Sequence, residues 1–163
     1  MTYERFEQLP VWQAAIGLAT AVYAMTEKLP FRRRYSLRDQ IERAAVSVSN
    51  NIAEGFERGT KQELVTFLYI ARGSAGEVRS MLCLLGKIPA FAELESEILK
   101  MKTNIESISK QLGAWVRALR DSELKGERYV SEKTRRADHV ARDRHEFLDE
   151  LARIRASARP KAA

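Results

Sequence analysis

Ile98-Leu-Lys-Met101-Lys-Thr-Asn-Ile105-Glu-Ser-Ile108-Ser-Lys-Gln-Leu112-Gly-Ala-Trp115-Val-Arg-Ala-Leu119 decides the fold class. Its large apolar residues, Ile98, Met101, Ile105, Ile108, Leu112, Trp115 and Leu119, recur in alternating steps of three and four. That alternation places them on one stripe of a helix, running from about Phe91 to Leu119, and approaches the heptad that near-parallel helix packing requires. Such a stripe must be buried against partners of similar length, so the rest of the chain has to supply them.

Three upstream segments do. Pro10 suits a first helical turn because it lacks an amide donor. Behind it Val11, Trp12, Ala15, Ile16, Ala19, Val22 and Tyr23 predict one apolar face, ending before Pro30. A second helix is expected from Ser36, a good N-cap with Asp39 three residues on. Its stripe is Leu37, Ile41, Ala44, Ala45, Val48, Ile52 and Phe56. Gly59 ends it, and Thr60-Lys-Gln-Glu63 reads as a capping box opening the third. There Leu64, Phe67, Leu68, Ala71, Ala75, Val78, Met81, Leu82 and Leu85 follow at helical spacing until Gly86 and Pro89. Helices of ~20–28 residues span ~30–40 Å. Short connections force neighbours antiparallel, so residues 1–120 predict an all-α, up-down-up-down four-helix bundle. Ile41, Val48, Ile52, Phe67, Leu68, Val78, Ile105, Ile108 and Leu112 are the expected core. Trp12, Tyr23, Phe91 and Trp115 are more hydrophobic surface than one core should need.

From Asp121 large apolar residues thin out and charges of both signs crowd in. Residues 121–163 read as a charged extension: a linker, a marginal helix over Val140–Ile154 carrying Phe147, Leu148, Leu151 and Ile154, and a disordered end. That helix is too short to persist undocked.

Across the 163 residues the net charge is +6. This permits contact with nucleic acid or an anionic membrane surface, and equally fits ordinary solubility. The single cysteine, Cys83, excludes an internal disulfide and fits a reducing cytosol. Its apolar sequence neighbours predict a buried, inert thiol. Met1-Thr-Tyr-Glu-Arg-Phe6 carries no basic-then-apolar signal pattern, and no apolar run approaches the ~18 residues of a spanning helix. The expectation is a soluble, cytoplasmic protein without a membrane partner.

Catalytic and metal signatures are missing. The only histidines, His139 and His145, sit six apart in the charged extension, and no Glu-x-x-His pair occurs in the bundle. There is no glycine-rich phosphate loop and no nucleophile elbow. Carboxylate acid–base chemistry would fall to Glu54 or Glu77, for which structural roles are the better reading. The expectation is no enzyme, no cofactor and no metal.

Two constellations remain. Ser47, Ser49, Asn50, Asn51 and Gly55 are poor choices for a helix interior and need partners if they face inward. The third helix offers Ala71-Arg-Gly-Ser74-Ala-Gly-Glu77. Folding the two together puts Ser74 near Ala44 and Glu77 near Gln40 and Arg43, predicting an Arg43–Glu77 pair. Folding the first helix on the second puts Trp12 near Glu54, a possible acceptor for the indole. The set Trp12, Arg43, Asn50, Asn51, Glu54, Ser74 and Glu77 thus forms a structural polar network that fixes register or a subunit contact. The second constellation is basic. Arg32, Arg33, Arg34 and Arg38 cluster at one end, with Arg58 and Lys61 at the other, in positions suited to phosphate contacts or to plain solvation.

The motifs Phe6-x-x-Leu9-x-Val11-Trp12-Gln13-x-Ala15, Leu29-Pro30, Tyr35-x-Leu37-x-x-Gln40-Ile41-x-Arg43-Ala44-Ala45, Asn50-Asn51-Ile52-Ala53-Glu54-Gly55 and Ala71-x-Gly73-Ser74-x-x-Glu77 recur in order. They resemble the four-helix bundle family named for proteins encoded in 23S ribosomal RNA intervening sequences. That family is in turn similar to the accessory variability determinant of diversity-generating retroelements. The resemblance covers about Phe6 to Leu119. It implies a barrel-shaped cyclic homo-oligomer, five subunits by family precedent. It also implies RNA or DNA bound nonspecifically on a basic surface, and a reverse transcriptase as partner. The rival expectation is a scaffolding oligomer with protein partners only.

Overall fold

The computed structural model describes residues 3–121, all within the first compact unit of the chain, Met1–Gly126. The expected linker, the helix over 140–154, the terminal segment and both histidines lie outside the described residues. Four α-helices carry the fold: α1 (Pro10–Thr26), α2 (Tyr35–Glu57), α3 (Lys61–Leu85) and α4 (Glu95–Asp121). Short 3-10 turns cover Phe6–Gln8, Leu29–Phe31 and Pro89–Leu94, and no strand occurs among the described residues. α1 packs on α2 and α4, and α3 packs on the same two helices. The all-α, four-helix class expected from the stripes is therefore the class observed.

The helix starts show which local signals act. Pro10 opens α1, and Thr60 caps α3, its hydroxyl accepting from the Glu63 backbone N–H at 3.2 Å while donating to the Glu63 carboxylate at 2.7 Å. α2 departs from expectation: it begins at Tyr35, not Ser36, and its N-cap, Arg34, makes no capping bond. The entry is held another way. Arg34 donates from Nη1 to the Pro30 carbonyl at 2.5 Å, and its guanidinium lies over the Phe91 ring, 5.3 Å from the centroid. α4 begins at Glu95, four residues later than expected, because Pro89–Leu94 winds as a 3-10 turn.

The core contains eight of the nine expected residues: Ile41, Val48, Ile52, Leu68, Val78, Ile105, Ile108 and Leu112 are all buried. Phe67, the ninth, is only half-buried, and Val65 is buried instead. Phe67 lies against the outer edge of α2, where Arg58 covers its ring at 5.2 Å. α1 is rotated from its expected face. Ile16 and Tyr23 are exposed at 38% and 43%, while Leu18 and Met25 are fully buried. Phe91 is no surplus surface either: it is buried edge-to-face against Phe31, centroids 4.8 Å apart, where the two 3-10 turns meet. Trp12 and Trp115 pack half-buried on the core. Cys83, expected to be buried, is exposed.

Paired contacts fix the register of α2 on α3. Gln40 meets Glu77, Ser47 meets Ser74, and Gly55 meets Phe67. Numbers rising on one helix match numbers falling on the other, so the two run antiparallel. Gly55 is a point of close approach: a Cβ there would stand 2.7 Å from Phe67 Cβ and 3.3 Å from Leu64 Cδ1. A glycine in a helix interior costs about 1 kcal/mol relative to alanine. Here it permits burial of Leu64 and Phe56 on either side, each stabilising by roughly 1.5–3 kcal/mol.

Candidate nucleic-acid interface

Part of the expected polar network forms along the α2–α3 seam, with altered partners. Ser47 and Ser74 share a hydroxyl hydrogen bond of 2.9 Å, one helical turn from the expected Ala44 contact. Asn51 donates to the Ser47 carbonyl at 2.7 Å and to its hydroxyl at 3.0 Å. The expected Arg43–Glu77 pair is absent. Arg43 bridges Asp39 on its own helix at 3.2 Å, and Glu77 accepts from Gln40 at 3.4 Å. An i, i+4 partner on the same helix is in reach without crossing the seam, which is why it wins. Trp12 does not reach Glu54. Its ring packs edge-to-face on Phe6 at 5.1 Å, and Glu54 accepts from Arg58 at 2.7 Å. Asn50 is exposed. The remaining network is a short zipper of side-chain hydrogen bonds.

The two expected basic clusters are largely engaged within the protein. Arg38 bridges Glu42 at 2.8 Å, and Glu42 also accepts from the buried Thr26 hydroxyl. Arg34 is held by Pro30 and Phe91. Arg58 bridges Glu54, whose hydrogen bond raises the guanidinium above its ordinary pKa, and lies 3.9 Å from Glu63. Lys61 is half-buried and likewise engaged. Of these six residues, only Arg32 and Arg33 are exposed without an ion pair among the described residues.

A different basic feature lies in the seam between α3 and α4. Arg72 and Arg79 stand seven residues apart on α3, and Lys110 and Arg117 seven apart on α4. Together they line a groove of about 400 Å³, with Glu106 and Ser109 on its α4 wall and Gly113 at its floor. None of the four cations has a carboxylate partner among the described residues. A Cβ on Gly113 would stand 3.5 Å from Arg117 Nη1 and 3.7 Å from Arg72 Cζ, so both guanidinium groups lie across the bare backbone. Residues 1–121 carry 17 Lys and Arg against 14 Asp and Glu. The groove, with four cations and one carboxylate, therefore holds as much excess positive charge as the whole bundle. Continuing the same seam past Arg117, Arg120 donates to the Tyr69 hydroxyl at 3.5 Å and makes no ion pair among the described residues.

Guanidinium groups converging on one recess have the donor geometry that suits an anion, because each offers forked donors matched to phosphate. The sequence does contain its signal: an i, i+7 cationic pair on each of two helices. The pairs become neighbours only through the α3–α4 register, which no local motif announces. No group of three or more His, Cys, Asp or Glu placed to share a metal ion occurs among the described residues, and no described helix is long and apolar enough to cross a membrane.

A family model described as 23S rRNA-intervening sequence protein matches residues 7–114. No curated protein matches the sequence. Among solved structures, the chain is similar to a crystal structure at 1.70 Å of a protein with unknown function from the S23 ribosomal protein family of Bacteroides thetaiotaomicron VPI-5482. The TM-score is 0.60 at 20% identity, over 65% of this chain and 97% of that one. At that identity the likeness speaks for the bundle fold alone.

Proposed function

We propose a function from the premise that the chain belongs to the 23S rRNA-intervening sequence protein family: it is a non-enzymatic binding protein that engages the phosphates of RNA or DNA. The observation that carries this reading is the α3–α4 groove, where four cations converge without a carboxylate partner. The mechanism is phosphate neutralisation with release of condensed counterions, which is blind to sequence. Arg32 and Arg33 supply a second, weaker contact at one end of the bundle.

Anisotropy of a labelled oligonucleotide across a salt titration tests the reading. Affinity should fall steeply with salt, and neutralising one groove arginine (Arg72→Gln or Arg117→Gln) should reduce the log–log slope by about 1. Absence of binding to any nucleic acid at low salt refutes it.

A second reading, a scaffolding homo-oligomer, is favoured by a separate observation. Ile16 and Tyr23 form an exposed i, i+7 pair on α1, and Ile70 and Leu84 are exposed on α3 beside Gly73 and Gly76, whose Cβ positions are open. Such faces suit subunit contact in a closed ring. Light scattering that gives a monomer mass at micromolar concentration rules it out.

A further inference from the structure

We infer that the α3–α4 groove takes a single strand and discriminates against a duplex. The inference rests on the nucleic-acid reading above and specifies the class of ligand for that same site.

Shape is the first support. Proteins read a duplex with a protruding helix or ribbon that enters a groove about 12 Å wide. Here the cations line a recess. Gly113 forms its floor, and Arg72 and Arg117 lie across that bare backbone. A recess of about 400 Å³ admits one sugar–phosphate backbone with an unstacked base. A duplex, whose phosphates lie on the outside of a wide cylinder, matches such a recess less closely.

Chemistry at the end of the seam is the second. Tyr69 is 45% exposed, and its hydroxyl accepts from Arg120, so the ring is tethered at its tip while nearly half of the residue stays open to solvent. Aromatic and guanidinium planes recognise unpaired bases, whose faces are accessible only when they have left a stack. From Glu106 to Arg120 the seam runs about 21 Å along α4. Arg79 and Lys110, then Arg72 and Arg117, then Tyr69 and Arg120 follow in order along it. That is a charged track ending in a stacking platform, the layout that single-strand binders use.

The test uses the full chain, a labelled single-stranded oligonucleotide, the same oligonucleotide annealed to its complement, and inorganic polyphosphate as a base-free polyanion. At equal salt the single strand should bind at least about tenfold more tightly than the duplex. Tyr69→Ala removes an exposed ring and should weaken the single strand about tenfold, within the range of stacking losses, while leaving duplex and polyphosphate binding unchanged. Equal affinity for single strand and duplex overturns the inference while leaving phosphate binding intact. So does a Tyr69→Ala effect shared equally by polyphosphate, or no effect at all. No binding of either nucleic acid at low salt refutes the functional reading and the inference with it.

Discussion

Replacing Gly55 with alanine sets two well-known effects against each other, and the structure decides which prevails. In a helix interior alanine is favoured over glycine by about 1 kcal/mol, chiefly through the unfolded chain's lost freedom. Against this, the new methyl would stand 2.7 Å from Phe67 Cβ, with Leu64 Cδ1 at 3.3 Å and the Leu64 carbonyl at 3.4 Å. Overpacking of this kind costs about 1–3 kcal/mol. The obstructing atom is a Cβ fixed to the α3 backbone, so no rotamer change relieves it and the helices must move apart. The upper part of that range applies, and Gly55→Ala should destabilise by about 1–2 kcal/mol net. Gly17→Ala is the matched control. It makes the same chemical change inside α1, where nothing lies within 4 Å of the new methyl, and should stabilise by about 0.5–1 kcal/mol. Urea titrations followed by circular dichroism report both values. A Gly55→Ala variant as stable as the parent would show that α2 and α3 are not in the tight register described, and would refute the reasoning.

Three further variants probe separate layers of the fold. Ile52→Ala empties a fully buried position at the α2 core face and should cost about 2–5 kcal/mol, read from the shift in urea midpoint at unchanged slope. Thr60→Ala deletes the α3 N-cap and should cost about 1 kcal/mol, with earlier hydrogen exchange confined to the first turn of α3. Glu42→Ala removes the acceptor that Arg38 and Thr26 share, while the Thr26 hydroxyl keeps the Tyr23 carbonyl at 2.9 Å. It should cost about 0.5–1.5 kcal/mol by chemical denaturation, and Thr26→Val in the same background should not recover the loss.

The helix ends were readable where a single residue type acts alone. Pro10 has no amide to leave unpaired, and Thr60 with Glu63 satisfies donors locally. The α4 stripe was readable because polar residues fill the opposite face. The phase of α1 was not. Alanines and aliphatics surround that helix on every side, so Ile16 with Tyr23 and Leu18 with Met25 make equally good stripes, and only packing against α2 and α4 selects the second. Phe91 misled because a 3-10 turn does not follow helical spacing. Cys83 misled because its apolar sequence neighbours radiate to other faces of α3, and adjacency along a helix is not adjacency in space. At the site, the conspicuous Arg32-Arg33-Arg34 run drew the eye, yet Arg34 and Arg38 are spent on internal contacts. The unpaired cations were dispersed, with Arg79 and Lys110 separated by 30 intervening residues.

The ring of helix contacts also bears on how fast the bundle assembles. Three of its four interfaces, α1 with α2, α2 with α3 and α3 with α4, join helices that follow one another in the chain. Each can close like a hairpin, at little entropic expense, because few residues intervene. The α2–α3 connection is the shortest, and the Thr60 cap is already in place to start its second arm. Only the docking of α1 on α4 must bring together distant parts of the sequence. Folding should therefore run in microseconds to milliseconds, as low contact order dictates, with the α2–α3 hairpin structured in the transition state and the α1–α4 seam closing last. Substitutions at Ile52 should slow folding, whereas those on the α1–α4 seam should mainly hasten unfolding.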